Sequence, residues 1–161
     1  MHQIILGLGS NIEHRKNNLE QATILIESNL GKVEKKSKIY ETKAWGIENQ
    51  SNFLNSAMVV STPFYPLKVL EKILEIELLM GRKREIKWSS RNIDIDLLFF
   101  ENYVFETPSL TVPHPFICQR NFVLSPLNDI CPDFIHPKFH DSIRHLSQIT
   151  SDAGWIKEFL F

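Results

Sequence analysis

Asp94 and Asp96 stand two residues apart inside an apolar run, Ile93-Asp94-Ile95-Asp96-Leu97-Leu98-Phe99-Phe100. In a strand this spacing puts both carboxylates on one face, while Ile93, Ile95 and Leu97 fill the other. Their Cα atoms would lie roughly 6.6 Å apart at about 3.3 Å per residue. Two aspartates reaching inward from that spacing can share a pair of magnesium ions, which take oxygen ligands and complete their shells with substrate phosphates. The competing reading is a strand with a solvated polar face. Against it, aspartate is disfavoured in strands, and two on one face repel each other without a cation.

Arg82, Lys83, Arg84, Lys87 and Arg91 crowd into the segment that leads into this strand. Alone, such a charge run reads as a solvated loop or a nucleic-acid patch. Beside two carboxylates it reads as a clamp for a polyphosphate, because the planar guanidinium fork matches phosphate oxygens. Trp88, in the middle of this polar loop, suits a lid that closes over a nucleotide. The loop from Arg82 to Asn92 is therefore expected to be mobile in the free protein and to order when an anionic ligand supplies counter-charge, since its charges repel and it has little apolar surface to bury.

Asn55 lies within a second apolar strand, on the same face as Phe53 and Ala57. Its amide can read the edge of a heterocycle while an aromatic neighbour stacks on the face. A core asparagine satisfied by backbone groups fits the same residues equally well. Thr111-Val112-Pro113-His114-Pro115 presents one histidine ahead of a helix carrying Arg120, a weak signal by itself. His136 and His140 have helical metal spacing, but Pro137 breaks the helix that would align them. Gly7-Leu8-Gly9 begins like a dinucleotide fingerprint, yet Ile12 stands where the third glycine should be.

The elements that must position these groups follow from periodicity and turn residues. Ile4 to Leu8 reads as a buried strand. Leu19, Ala22, Ile26 and Leu30 mark a helix stopped by Gly31. Val33 to Thr42 suits a partly exposed strand, Lys43 to Ser51 a loop, and Phe53 to Val60 a strand. Pro66 opens a helix that Gly81 closes. After the strand from Ile93 to Phe100, Tyr103-Val104-Phe105 is expected to pair with it as a hairpin. Helices are expected around Phe122 to Leu127 and from Asp141 to Ile149. This order gives an α+β class: a ferredoxin-like βαββαβ core, an antiparallel sheet with helices packed on it, plus a C-terminal extension.

The 161 residues suit a single domain spanning the whole chain, with 43% hydrophobic and 23% charged residues. A net charge of -1 argues against wholesale binding to nucleic acid or an anionic membrane. Cys118 and Cys131 lack a metal-ligand pattern and read as free thiols in a reducing compartment. With no signal-peptide pattern and no apolar run of spanning length, the expected location is the cytoplasm.

Taken in order, the landmarks resemble the 6-hydroxymethyl-7,8-dihydropterin pyrophosphokinase family over nearly the whole chain. They are Gly9-Ser10-Asn11, Tyr40-Glu41-Thr42, Phe53-Leu54-Asn55-Ser56-Ala57, and Glu77 with Gly81-Arg82-Lys83-Arg84. Arg91-Asn92-Ile93-Asp94-Ile95-Asp96-Leu97-Leu98 follows, then Val112-Pro113-His114-Pro115, Arg120-Asn121-Phe122-Val123-Leu124 and Pro126-Leu127. The sequence departs from the family where Ser89-Ser90 replace the usual glycine or alanine and proline before the arginine.

The resemblance implies transfer of the pyrophosphoryl group of ATP to the hydroxymethyl pterin, with AMP leaving, as a step of folate biosynthesis. It implies that Asp94 and Asp96 hold two Mg2+ ions, and that Arg82 and Arg91 stabilise the transferring group. Arg84 and Trp88 would close over ATP, which Glu77, Leu97, Thr111, His114 and Arg120 would also contact. Asn55 and the backbone around Thr42 and Ala44 would hydrogen-bond the pterin, which Trp45 would also contact, with Phe53 and Phe122 stacked on its faces. A monomer or a homodimer, without nucleic-acid or membrane partners, is expected. Two alternatives remain at this level: another magnesium-dependent kinase or nucleotide phosphohydrolase, and a ferredoxin-like RNA-binding module.

Overall fold

Ile4, Leu6 and Leu8 alternate with Ile5 along the first strand, and all four are buried, as expected for a strand covered on both faces. In the computed structural model, which describes residues 1–44, 49–82 and 91–161, this strand (β1, His2–Ser10) is an interior strand of a sheet. It is followed by α1 (Arg15–Asn29), β2 (Lys32–Lys36), β3 (Tyr40–Thr42), β4 (Phe53–Thr62), α2 (Pro66–Leu79) and β5 (Asp94–Phe100). Then come β6 (Phe105–Glu106), β7 (Thr111–Val112), α3 (Asn121–Ile130), α4 (Ile143–Ile149) and β8 (Ile156–Glu158). The main sheet runs β5-β1-β4-β3-β8, with β2 also pairing to β4, and each pairing is antiparallel.

The expected α+β architecture holds, and each sheet face has its own core. On one face Ile4, Leu6 and Leu8 meet Leu19, Ala22 and Ile26 of α1 and Val69, Ile73 and Ile76 of α2. On the other face Ile5, Ala57 and Val59 meet Leu124, Leu127 and Ile130 of α3, with Ile143 and Leu146 of α4. The C-terminal extension is thus the second helical layer. The two cysteines are free thiols.

Two expectations need correction, and one strand lies where none is expected. The strand expected from Val33 to Thr42 is two strands. Ser37 interrupts it: its N–H donates to the Ala57 carbonyl at 2.9 Å, while its Oγ accepts the Ala57 N–H at 2.8 Å. The side chain thereby takes a place in the ladder that backbone would otherwise fill, and the chain changes register before Tyr40.

Tyr103 to Phe105 does not pair with β5. Phe105 instead faces Val112 in a separate two-stranded ribbon of β6 and β7, and the Leu98 carbonyl of β5 receives the His114 N–H at 2.9 Å. A turn closed by Tyr103 N–H to Phe100 carbonyl carries the chain away from that edge. Finally, β8 was not anticipated; it pairs with β3, with Thr42 opposite Ile156. Three residues without alternation carry no strand signal of their own.

Candidate active site

Gly9 faces Asp94 across one ladder of β1 and Asn55 across the other, and Gly7 faces Asp96 and Ala57. A Cβ added at Gly9 would meet Asn55 Oδ1 at 3.1 Å and Phe53 Cδ1 at 3.5 Å. The bare glycine leaves room over the strand for both side chains. A cleft of about 490 Å³ opens here, with the aspartates at one flank and Asn55, Phe53 and Thr42 at the other. Residues about forty positions apart in the chain become neighbours through a strand that carries no reactive group itself.

Asp94 is clasped by two arginines. Arg82 Nη1 donates to its Oδ1 at 2.7 Å, and Arg91 Nη1 to its Oδ2 at 3.2 Å. The aim of Arg82 is set by the end of α2. Gly81 sits at φ 81°, a left-handed conformation that favours glycine, and the Arg82 N–H caps the Glu77 carbonyl at 3.0 Å. Arg82 Nη1 also bonds Glu77 Oε1, whose second donor is the Ile95 N–H at 2.9 Å. Glu77, 2% exposed, is therefore a bracket joining α2, Arg82 and the backbone between the aspartates.

Arg91 is bracketed by Asn11. The Asn11 Oδ1 accepts the Arg91 N–H at 2.9 Å, and the Asn11 N–H donates to the Arg91 carbonyl at 3.3 Å. Sequence reasoning gave Asn11 no role, although it stands in the polar break directly after the first strand.

Burial first, then the neighbouring Asp94 carboxylate, push the Asp96 carboxyl far above the usual carboxylate range, against the pull of Arg120 and Arg82. Arg120 is buried beside Phe116 and Phe122, with its guanidinium carbon 4.9 Å and 5.6 Å from their ring centres. His114 is pushed down to about 4 by burial and then by Arg120. It is neutral near pH 7. Its Nδ1 accepts the Phe116 N–H at 3.3 Å, which assigns the ring proton to Nε2.

The cleft brings together Glu77, Arg82, Arg91, Asp94, Asp96, Thr111, His114 and Arg120 with Thr42, Phe53, Asn55 and Phe122. Leu97 borders it too, but packs in the core on the α1/α2 face. Ala44 is not among the lining residues. Trp45, Arg84 and Trp88, and with them the lid expectation, lie outside the described residues. Asn55 Nδ2 donates to Thr42 Oγ1 at 2.8 Å, so the side chains of two residues assigned to the same ligand hold each other. The Asn55 bond goes to a side chain rather than to backbone.

The site suits a hard divalent cation. Asp94 and Asp96 offer only oxygen, and the displaced titration of Asp96 marks a charge that a cation would relieve. Among the described residues no group of three or more His, Cys, Asp or Glu could hold a metal unaided. Two carboxylates completed by phosphate oxygens match how magnesium is commonly held.

The family model for 7,8-dihydro-6-hydroxymethylpterin-pyrophosphokinase (HPPK) matches residues 5–132. The chain belongs to this family. It is 42% identical over 144 residues to the 2-amino-4-hydroxy-6-hydroxymethyldihydropteridine pyrophosphokinase of Aquifex aeolicus, covering 89% of each chain. It is 43% identical over 127 residues to the Bacillus subtilis protein of the same name, covering 78% of this chain and 76% of that one. Among solved structures, Plasmodium falciparum HPPK-DHPS with pteroate superimposes with a TM-score of 0.77 at 20% identity. That match covers 91% of this chain but only 42% of the other, and it shows the fold. Asp94, Asp96, both clasping arginines and the Asn55 strand fall inside the family match, whereas α4 and β8 lie beyond it.

Proposed function

We propose that this HPPK-family chain transfers the pyrophosphoryl group of ATP to 6-hydroxymethyl-7,8-dihydropterin, giving AMP and the pterin pyrophosphate for folate biosynthesis. The observation that carries the reading is the single cleft in which Asp94, with Arg82 and Arg91, faces Asn55 and Phe53 across Gly9. A polyanion site and a heterocycle site on either side of one strand suit a two-substrate transfer. The whole chain would act as one domain and as a monomer. Among the described residues no helix is long and apolar enough to cross a membrane, and the reading needs no membrane or nucleic acid.

The hydroxymethyl oxygen attacks the β-phosphorus, the bond from that phosphorus to the α-phosphate oxygen breaks, and AMP departs with the electron pair. The hydroxyl proton is lost to solvent. Asn55 and Thr42 orient the pterin edge, and Phe53 and Phe122 cover its faces, which fixes the attacking oxygen. Arg82 and Arg91 turn their guanidiniums to the phosphoryl oxygens, where negative charge builds. Neutral His114, as an Nε2 donor, contacts ATP together with Thr111 and Arg120. Asp94 and Asp96 would hold two magnesium ions, which when bound screen the phosphate charge.

The test is direct. Protein, ATP, magnesium and the hydroxymethyl pterin are incubated, and the nucleotide product is separated. AMP in step with pterin pyrophosphate is expected; ADP would identify an ordinary kinase and overturn the reading.

A further inference from the structure

Arg15 opens α1 and stands apart from the aspartates. Its Nη1 donates to Glu41 Oε1 at 2.9 Å and to the Asn52 carbonyl at 2.8 Å. Glu41 is the middle residue of β3, and Asn52 immediately precedes β4. One guanidinium nitrogen thus ties together two strand ends from a third element.

Those strand ends carry the proposed heterocycle site. Thr42 follows Glu41, faces Phe53 in the ladder, and accepts the Asn55 amide. Yet β3 has only three residues, flanked on its other side by the equally short β8. Ladders this short supply few hydrogen bonds and fray readily, so an added anchor changes how firmly Thr42 is held. The Arg15 and Glu41 side chains are 27% and 24% exposed, which partly shields the pair from solvent. Asn11 adds a weaker tie of the same kind, from Nδ2 to the Ser51 carbonyl at 3.4 Å.

We infer that Arg15 is a positioning residue for the heterocycle end of the cleft. By pinning β3 to the start of β4 it keeps Thr42 against Asn55, and so holds the Asn55 amide in one orientation. The inference rests on the proposed function for the identity of the ligand. It does not depend on the chemistry of transfer.

The experiment measures two affinities by calorimetry on folded protein: that of the hydroxymethyl pterin in the presence of a non-hydrolysable ATP analogue, and that of the analogue alone. Arg15→Ala is expected to weaken pterin binding about tenfold and leave analogue binding within about twofold. Glu41→Gln, which removes one arm of the tie, should shift pterin affinity the same way by less, and it serves if Arg15→Ala does not fold. Lys16→Ala, the next residue of the helix, whose ion pair is to Glu20, should change neither. In an Asn55→Ala background the Arg15 effect should largely vanish, because both act on one contact. An Arg15→Ala protein that melts lower but binds pterin normally, or that loses both ligands equally, overturns the inference. So does an effect additive with Asn55→Ala. Wild-type protein that binds the pterin and releases no AMP would instead overturn the transfer reaction alone.

Discussion

The Glu77 carboxylate accepts the Ile95 N–H at 2.9 Å, so a helix side chain holds the backbone N–H of the one residue between the two aspartates. The same oxygen accepts Arg82. Removing it orphans a buried amide and leaves Arg82 with less counter-charge. Glu77→Ala should lower stability by about 2–4 kcal/mol in urea denaturation. Glu77→Gln, which keeps an acceptor for Ile95, should fall between that variant and the wild type. An alanine variant as stable as the wild type would mean that α2 and β5 do not depend on this bracket.

Asp96→Ala separates activity from stability. Turnover should fall at least about a thousandfold, on the scale of losing a principal electrostatic stabiliser. The fold should not suffer. Burial and Asp94 raise the Asp96 pKa in the folded protein, so ionising this carboxyl costs stability that is lost as pH rises through the raised value. In EDTA at pH 8 the alanine variant should therefore melt no lower than the wild type. Near-normal AMP formation would remove Asp96 from the metal site.

Asn55→Ala should act on the other substrate. Calorimetry should show pterin affinity falling by about 1–3 kcal/mol, as for an unpaired buried polar group, with an ATP analogue binding as before. Weakened analogue binding with intact pterin binding would place Asn55 in the wrong half of the cleft.

His136 predicts an acid-labile step in stability. It is 1% exposed, and its Nδ1 accepts the Lys138 and Phe139 N–H groups at 3.2 Å and 3.3 Å. Burial, then the Lys138 charge, push its pKa down to about 4. The unfolded chain takes up the proton near its ordinary value of about 6.5, so stability present above that pH is lost as pH falls toward 4. Across that window the loss attributable to His136 should approach about 3 kcal/mol. Urea denaturation of wild type and His136→Gln at pH 7 and pH 4 checks it: the wild-type advantage should shrink by about that amount, and a constant difference would refute it.

The pieces whose signal is local were legible in the amino-acid order. Alternation fixed the common face of Asp94 and Asp96, and Pro66 and Gly81 fixed the ends of α2, because each depends only on side-chain period or backbone torsion. The ordered landmarks also sufficed to indicate the HPPK family, since they are amino-acid choices at given spacings. Tertiary structure decided what depends on which strands become neighbours. The split of β2 from β3 turns on Ser37 meeting Ala57, and β8 is a strand only because β3 offers it an edge. Glu77 reads as one more acid on a helix until α2 lies against β5 and its oxygen reaches the Ile95 amide. Asn11 looks like an ordinary loop residue after β1, and Arg15 like an ordinary first residue of a helix, until the sheet brings residues 91, 41 and 52 to them. A hydrogen bond across tens of residues leaves no periodic trace in the chain, because it is set by register between elements and not by spacing within one.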